Sequence, residues 1–108
     1  MKIVSCILRN TGQGWYILDV GKHAPVGVAS VEQFSDLLRL HYNFTAQTIG
    51  AVLATADETY ILQDIICGCS MNAGYTDIYL KKVGQGGYVD PATLSAEFGN
   101  INVLGFFT

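Results

Sequence analysis

Between Leu38 and Phe44 the chain alternates without a break: Leu38, Leu40, Tyr42 and Phe44 fall on one parity and Arg39, His41 and Asn43 on the other. Successive side chains of an extended backbone point to opposite faces, so this stretch builds a ribbon with one apolar and one polar side. A helix would scatter the same residues around its circumference. The pattern therefore asks for a half-buried antiparallel strand. It also bears on the ambiguous stretch just before it. Ser30 could cap a helix, Gln33 could close a capping box, and Val31, Phe34 and Leu38 fall near one helical face. The competing arrangement is strand–turn–strand with Ser35-Asp36 at the turn, and the alternation favours it.

The rest of the chain has the same cadence. MKIVSCILRN and Trp15 to Asp19 read as two strands joined at Thr11-Gly12-Gln13-Gly14, an N-terminal hairpin. Gly21 to Pro25 reads as a loop, followed by a strand favoured by Val26, Val28 and Val31. Thr48 to Thr55 and Thr59 to Met71 are β-compatible runs either side of a charged turn at Ala56-Asp57-Glu58, with Gln63-Asp64 as a bulge or polar edge in the second. Asn72-Ala73-Gly74 is a turn, and Thr76 to Val83 alternates again. Gly84-Gln85-Gly86-Gly87 suits a loose hairpin tip. Asp90-Pro91 is a helix start, with Asp as cap and Pro at the first position, predicting one short helix over Pro91 to Phe98 before a last strand from Ile101 to Phe107. Short strands punctuated every 8–12 residues predict an all-β fold, an antiparallel β-sandwich of jelly-roll or immunoglobulin-like type, as a single domain over residues 1–108.

Composition narrows the function classes. Half of the residues are apolar and only 14% are charged, against roughly 25% in an average soluble chain. That excludes disorder, which needs low hydrophobicity and high charge. Six Lys and Arg against nine Asp and Glu give a net charge of −3, which disfavours a nucleic-acid surface. No apolar run reaches the ~18–20 residues of a membrane span, so no membrane partner is expected. Ile3-Val4-Ser5-Cys6 resembles a lipobox, but the apolar stretch that should precede it is missing. Synthesis in a host cytoplasm is the expectation. An odd number of cysteines, Cys6, Cys67 and Cys69, fits reduced thiols packed as small hydrophobes.

Candidate chemistry is sparse. Cys67 and Cys69 share a strand face and, with His23 and His41, form the only soft-ligand set, but the spacing lacks a matching second pair, so no metal or cofactor is expected. There is no Gly-x-Ser-x-Gly elbow, and Gly84-x-Gly86-Gly87 lacks the following Lys and helix of a phosphate cradle. Asp57-Glu58 point apart if extended, and Lys81-Lys82 is too small for a nucleic-acid patch. A non-enzymatic protein is expected. The aromatics are more suggestive. Trp15, Tyr16, Tyr75, Tyr79 and Tyr88 lie on strands or loop edges, and Phe106-Phe107 sit in an uncharged segment that should dock somewhere. These seven are the interface candidates. Low charge and spare apolar surface suggest a homo-oligomer. Carbohydrate binding on Trp15 and exposed tyrosines is the alternative.

One resemblance covers Trp15 to Tyr79. Trp15-x-Ile17-Leu18-Asp19, His23-x-Pro25-x-Gly27-Val28, Ser30-Val31, Leu40-x-Tyr42-x-Phe44, Asp57-Glu58-Thr59, Gly68-x-Ser70 and Asp77-Ile78-Tyr79 together resemble small β-rich domains of tailed-bacteriophage virion proteins, of the tail-fibre, tailspike or head-decoration type. The resemblance is one of cadence rather than a diagnostic motif. It implies an antiparallel sandwich that assembles on a virion with other virion proteins. Gly84 to Thr108 lies outside it.

Overall fold

The computed structural model describes residues 1–47, 50–94 and 99–107. Its strands are β1 (Lys2–Asn10), β2 (Trp15–Ile17), β3 (Val28–Gln33), β4 (Leu38–Tyr42), β5 (Ala51–Ala56), β6 (Ile65–Met71), β7 (Tyr75–Lys82) and β8 (Asn100–Phe107), with one short helix, α1 (Glu58–Ile61). They form two four-stranded sheets, sheet A in the order β2-β1-β8-β5 and sheet B in the order β3-β4-β7-β6. Every strand pair is antiparallel. This is the all-β sandwich that the alternation predicts.

The core lies between the two sheets. Val4, Cys6 and Leu8 of β1, Leu38, Leu40 and Tyr42 of β4, Ile78 and Leu80 of β7, and Ile101, Val103 and Phe107 of β8 are all buried. Aromatic clusters fill both ends. Near the start of β1, Phe44 stacks on Tyr42 at 5.2 Å between centroids, and Phe107 tilts against both. Near the end of β1, Trp15 packs on Tyr60 at 5.9 Å. Inside the sandwich the Tyr42 and Thr76 hydroxyls hydrogen-bond each other, so two buried polar groups satisfy one another.

Both sides of the sandwich are closed. After β2 the chain makes a single 3-10 turn at Gly21–His23, pairs briefly with β1 through Ser5 and Val26, and crosses to sheet B at Gly27. Gly27 has φ +75°, and a Cβ there would run into the Ile3 carbonyl. On the other side β5 and β6 lie along each other. Cys67 and Cys69 of β6 donate their thiol protons to the carbonyls of Ala54 and Val52, at 3.1 and 3.3 Å. Edge carbonyls that would otherwise invite another strand are thus occupied.

Strand–turn–strand wins over the helix between Ser30 and Phe44, because Leu38, Leu40 and Tyr42 are needed on one face. Two expectations are corrected. Thr59 to Met71 is not one long strand. Asp57 caps a helix by accepting from Thr59 N, Tyr60 is drawn into the core, and Asp64 ends the turn at φ +61° before β6 begins. Asp reaches this left-handed conformation more readily than most residues. Where the sequence predicts the one helix, Asp90 does cap Ala92 N, but only a 3-10 turn forms, at Pro91–Thr93, and Leu94 is already extended. Ser95 to Phe98 lie outside the described residues.

Candidate functional site

The outer faces of the two sheets differ in chemistry. On sheet A the outward positions run in register across three strands: Ile3, Phe106 and Ala51; Ser5, Leu104 and Leu53; Ile7, Asn102 and Thr55. None of these carries a charge. Ile3, Leu53, Leu104 and Phe106 are 44, 67, 43 and 44% exposed. Val26, paired with Ser5, extends the middle row and is also exposed. The Lys22–Ala24 loop stands beside this floor and forms one wall of a cleft of about 430 Å³ over Ser5, Ile7, Asn102, Leu104 and Leu53.

Sheet B presents the opposite character. Glu32 and Arg39 pair across β3 and β4, Arg39 faces Asp77 on β7, and Asp77 faces Ser70 on β6. Arg39 Nε and Nη2 donate to the two Asp77 carboxylate oxygens at 2.8 and 3.1 Å. Its guanidinium also lies 4.2 Å from the Tyr75 ring centre and 5.2 Å from that of Phe34. A planar cation held by a carboxylate fork and two rings is a fixed element of the surface. His41 pairs with Glu32 at 3.0 Å beside Tyr75. Further along β7, Tyr79 meets Tyr88 at 4.7 Å with the rings tilted by 38°. A shallow cleft of about 420 Å³ opens there, along the outer surface of β6 and β7.

The seven aromatic candidates separate accordingly. Tyr75, Tyr79 and Tyr88 share the outer side of sheet B, and Phe106 and Tyr16 are exposed on sheet A. Trp15 and Phe107 are corrections. Trp15 is 9% exposed, donates its indole N–H to the Pro91 carbonyl at 3.1 Å, and leans on Tyr60. It has no face for a sugar. Phe107 is fully buried, because its parity on β8 is that of Ile101 and Val103. Neither is available to a partner.

The soft-ligand set does not assemble. His23 stands by sheet A, His41 lies on the outer face of sheet B, and Cys67 and Cys69 point to the β5–β6 seam. Among the described residues no three His, Cys, Asp or Glu come together. Burial pushes the Cys6 thiol up to about 12 and the Cys67 thiol up to about 11, and raises Cys69 too. A thiol of that kind is a weak hydrogen-bond donor and a poor nucleophile.

Composition and strand spacing missed Leu53 and Gly68, set Lys81 aside, and reached Leu104 only as part of the apolar Leu104-Gly105-Phe106-Phe107 segment. For Leu53 and Leu104 there was a further signal. β5 and β8 carry apolar residues on both parities, as do the first residues of β1, whereas β4 alternates cleanly. No signal marked Gly68, whose lack of a side chain matters only because Tyr79 stands opposite it. No known protein family, curated protein or solved structure matches the chain.

Proposed function

We propose that the chain is a non-enzymatic structural subunit that assembles with a second copy of itself through the outer face of sheet A, in the setting of a tailed-phage particle with other virion proteins as neighbours. One observation carries the assembly: sheet A is written like a sheet covered on both sides, while sheet B is written like one covered on a single side. Strands buried on both faces read as near-continuous apolar runs, and half-exposed strands alternate. Ile3, Leu53, Leu104 and Phe106 are outward yet apolar, so this sheet carries a second, exposed apolar layer. Charge is confined to the margins of this face, at Arg9 and Lys22, and its uncharged centre of bulky and small positions suits a two-fold copy of itself. The molecule measures 36 × 32 × 21 Å, so a broad face is large enough for the roughly 800 Å² per partner of a stable interface. The phage setting rests on the resemblance of residues Trp15 to Tyr79 described above.

Light scattering coupled to size-exclusion chromatography tests the assembly. A dimer is expected for the natural chain and a monomer for the Leu53→Lys, Leu104→Lys double variant. A natural chain that stays monomeric at high concentration would overturn the proposal. Antibody labelling of purified particles tests the setting, and unlabelled particles would remove it.

A further inference from the structure

We infer that the cleft over Gly68, beside the packed Tyr79–Tyr88 pair, is a binding site for one pyranose unit of a glycan. It lies on sheet B, so it is independent of the assembly through sheet A. Tyr79 and Gly68 are direct cross-strand partners on β7 and β6. A tyrosine opposite a glycine ordinarily lies across it and covers the bare backbone. Here it does not: a Cβ built on Gly68 would meet nothing within 4 Å. The Tyr79 ring is instead engaged with Tyr88 at 4.7 Å.

Backbone geometry puts Tyr88 there. Gly84 and Gly87 turn the chain back after β7 at φ +86° and +73°. The Val89 N–H then donates to the Leu80 carbonyl at 2.8 Å, which docks the returning segment along β7. Tyr88 is still 59% exposed, so its ring is available from outside.

The result is an open slot of about 420 Å³, floored by Gly68, bordered by Ile66 and Ser70, and walled by Tyr79, Tyr88 and Lys81. That volume is in the range of small-molecule sites. The two rings, 4.7 Å apart and tilted by 38°, pack on each other, so the aromatic surface left to a ligand is the side of the pair that borders the slot. A sugar ring can lay a C–H face on that aromatic surface while its hydroxyls stay in the open slot. Ser70 and Lys81 border the slot and bring it a hydroxyl for sugar hydroxyls and an ammonium for an acidic substituent. Lys81 has no ion-pair partner among the described residues. Asp77, the nearest outward carboxylate on β7, is already held by Arg39 and offers little repulsion to an acidic sugar.

A nuclear magnetic resonance titration of the isotope-labelled full chain tests this, with neutral and uronic- or sialic-acid-containing oligosaccharides, and a nucleoside monophosphate for contrast, as probes up to ~10 mM. Saturable shifts at the amides of Gly68, Tyr79 and Tyr88 are expected for at least one sugar. Gly68→Val fills the slot without touching either tyrosine, and valine suits a strand whose Cβ position is open. It should weaken binding by at least ~10-fold, as should Tyr88→Ala. Lys81→Gln should weaken the acidic sugars more than the neutral ones. The Leu53→Lys, Leu104→Lys double variant should leave all sugar binding intact while breaking the dimer, which separates the two proposals. Absence of shifts with every sugar, binding that survives both Gly68→Val and Tyr88→Ala, or shifts only with a nucleoside monophosphate would each overturn the inference.

Discussion

At the scale of single residues, position on a sheet face outweighs residue type. Trp15 and Phe107 look like recognition residues by type, yet each is on the inward parity of its strand and is buried. Gly27 shows the reverse. An unremarkable glycine by sequence, it is where the chain passes from one sheet to the other, with φ +75° and the Ile3 carbonyl against its missing side chain. Gly27→Ala is expected to lower stability by at least ~1 kcal/mol, read from urea denaturation midpoints. The buried acids make the fold sensitive to alkali. Cys6 goes from an ordinary 9.0 up to about 12 and Cys67 to about 11, while burial also raises Tyr42 and Tyr60. A group whose folded value lies above its unfolded one binds its proton more tightly when folded. Its contribution is complete below the unfolded value and is lost as the pH climbs from about 9 to about 12. The urea midpoint should therefore be flat near neutrality and fall above pH 9, and Cys6→Ala should flatten that fall. A midpoint unchanged up to pH 11 would contradict the burial of these groups.

At the scale of elements, β4 was legible and α1 was not. Leu38 to Tyr42 settle their own structure, because every second side chain enters the core. The run Thr59 to Leu62 looks equally β-like, but Asp57 changes the outcome. One of its carboxylate oxygens accepts from Thr59 N at 3.1 Å and the other from Asn100 N at 3.0 Å, while its own N–H donates to the Asn100 carbonyl. The same side chain starts the helix and ties it to β8, a strand more than 40 residues away in sequence. Nothing within a local window announces that second bond. Asp57→Ala should cost about 1–2 kcal/mol of unfolding free energy, and Asp57→Asn less, because an amide oxygen can still cap. The β5–β6 seam is a feature of the same rank. Cys67→Ala and Cys69→Ala remove thiol donors from the Ala54 and Val52 carbonyls, and Cys→Ser keeps a donor at each place. Amide exchange along β5 should quicken in the alanine pair and change less in the serine pair.

At the scale of the whole molecule, the asymmetry between the sheets organises the functional reading. Sheet B has Arg39, Asp77, His41 and three tyrosines on its outer side, and sheet A has isoleucine, leucine and phenylalanine. If sheet A is an interface rather than a second core, the monomer does not depend on it. The Leu53→Lys, Leu104→Lys variant should still unfold in one cooperative step, with stability within ~1 kcal/mol of a natural chain diluted below dimer dissociation. Loss of folding in that variant would mean that the outer layer holds up the monomer itself. The two outer surfaces are then separable by mutation, one changing mass and the other ligand response.

The sequence alone determined that this is a β protein of two layers with little charge, because period-two alternation and punctuating turns are local properties of the chain. It also contained, in the double-parity apolar runs of β1, β5 and β8, the sign that one sheet has more to cover than its own core. Only the tertiary structure decided which aromatics are core, where the chain changes sheet, and that Tyr79 leaves Gly68 uncovered in favour of Tyr88. Those facts depend on contacts between residues far apart in sequence, and the alternation of a single strand says which residues share a face without saying what that face will meet.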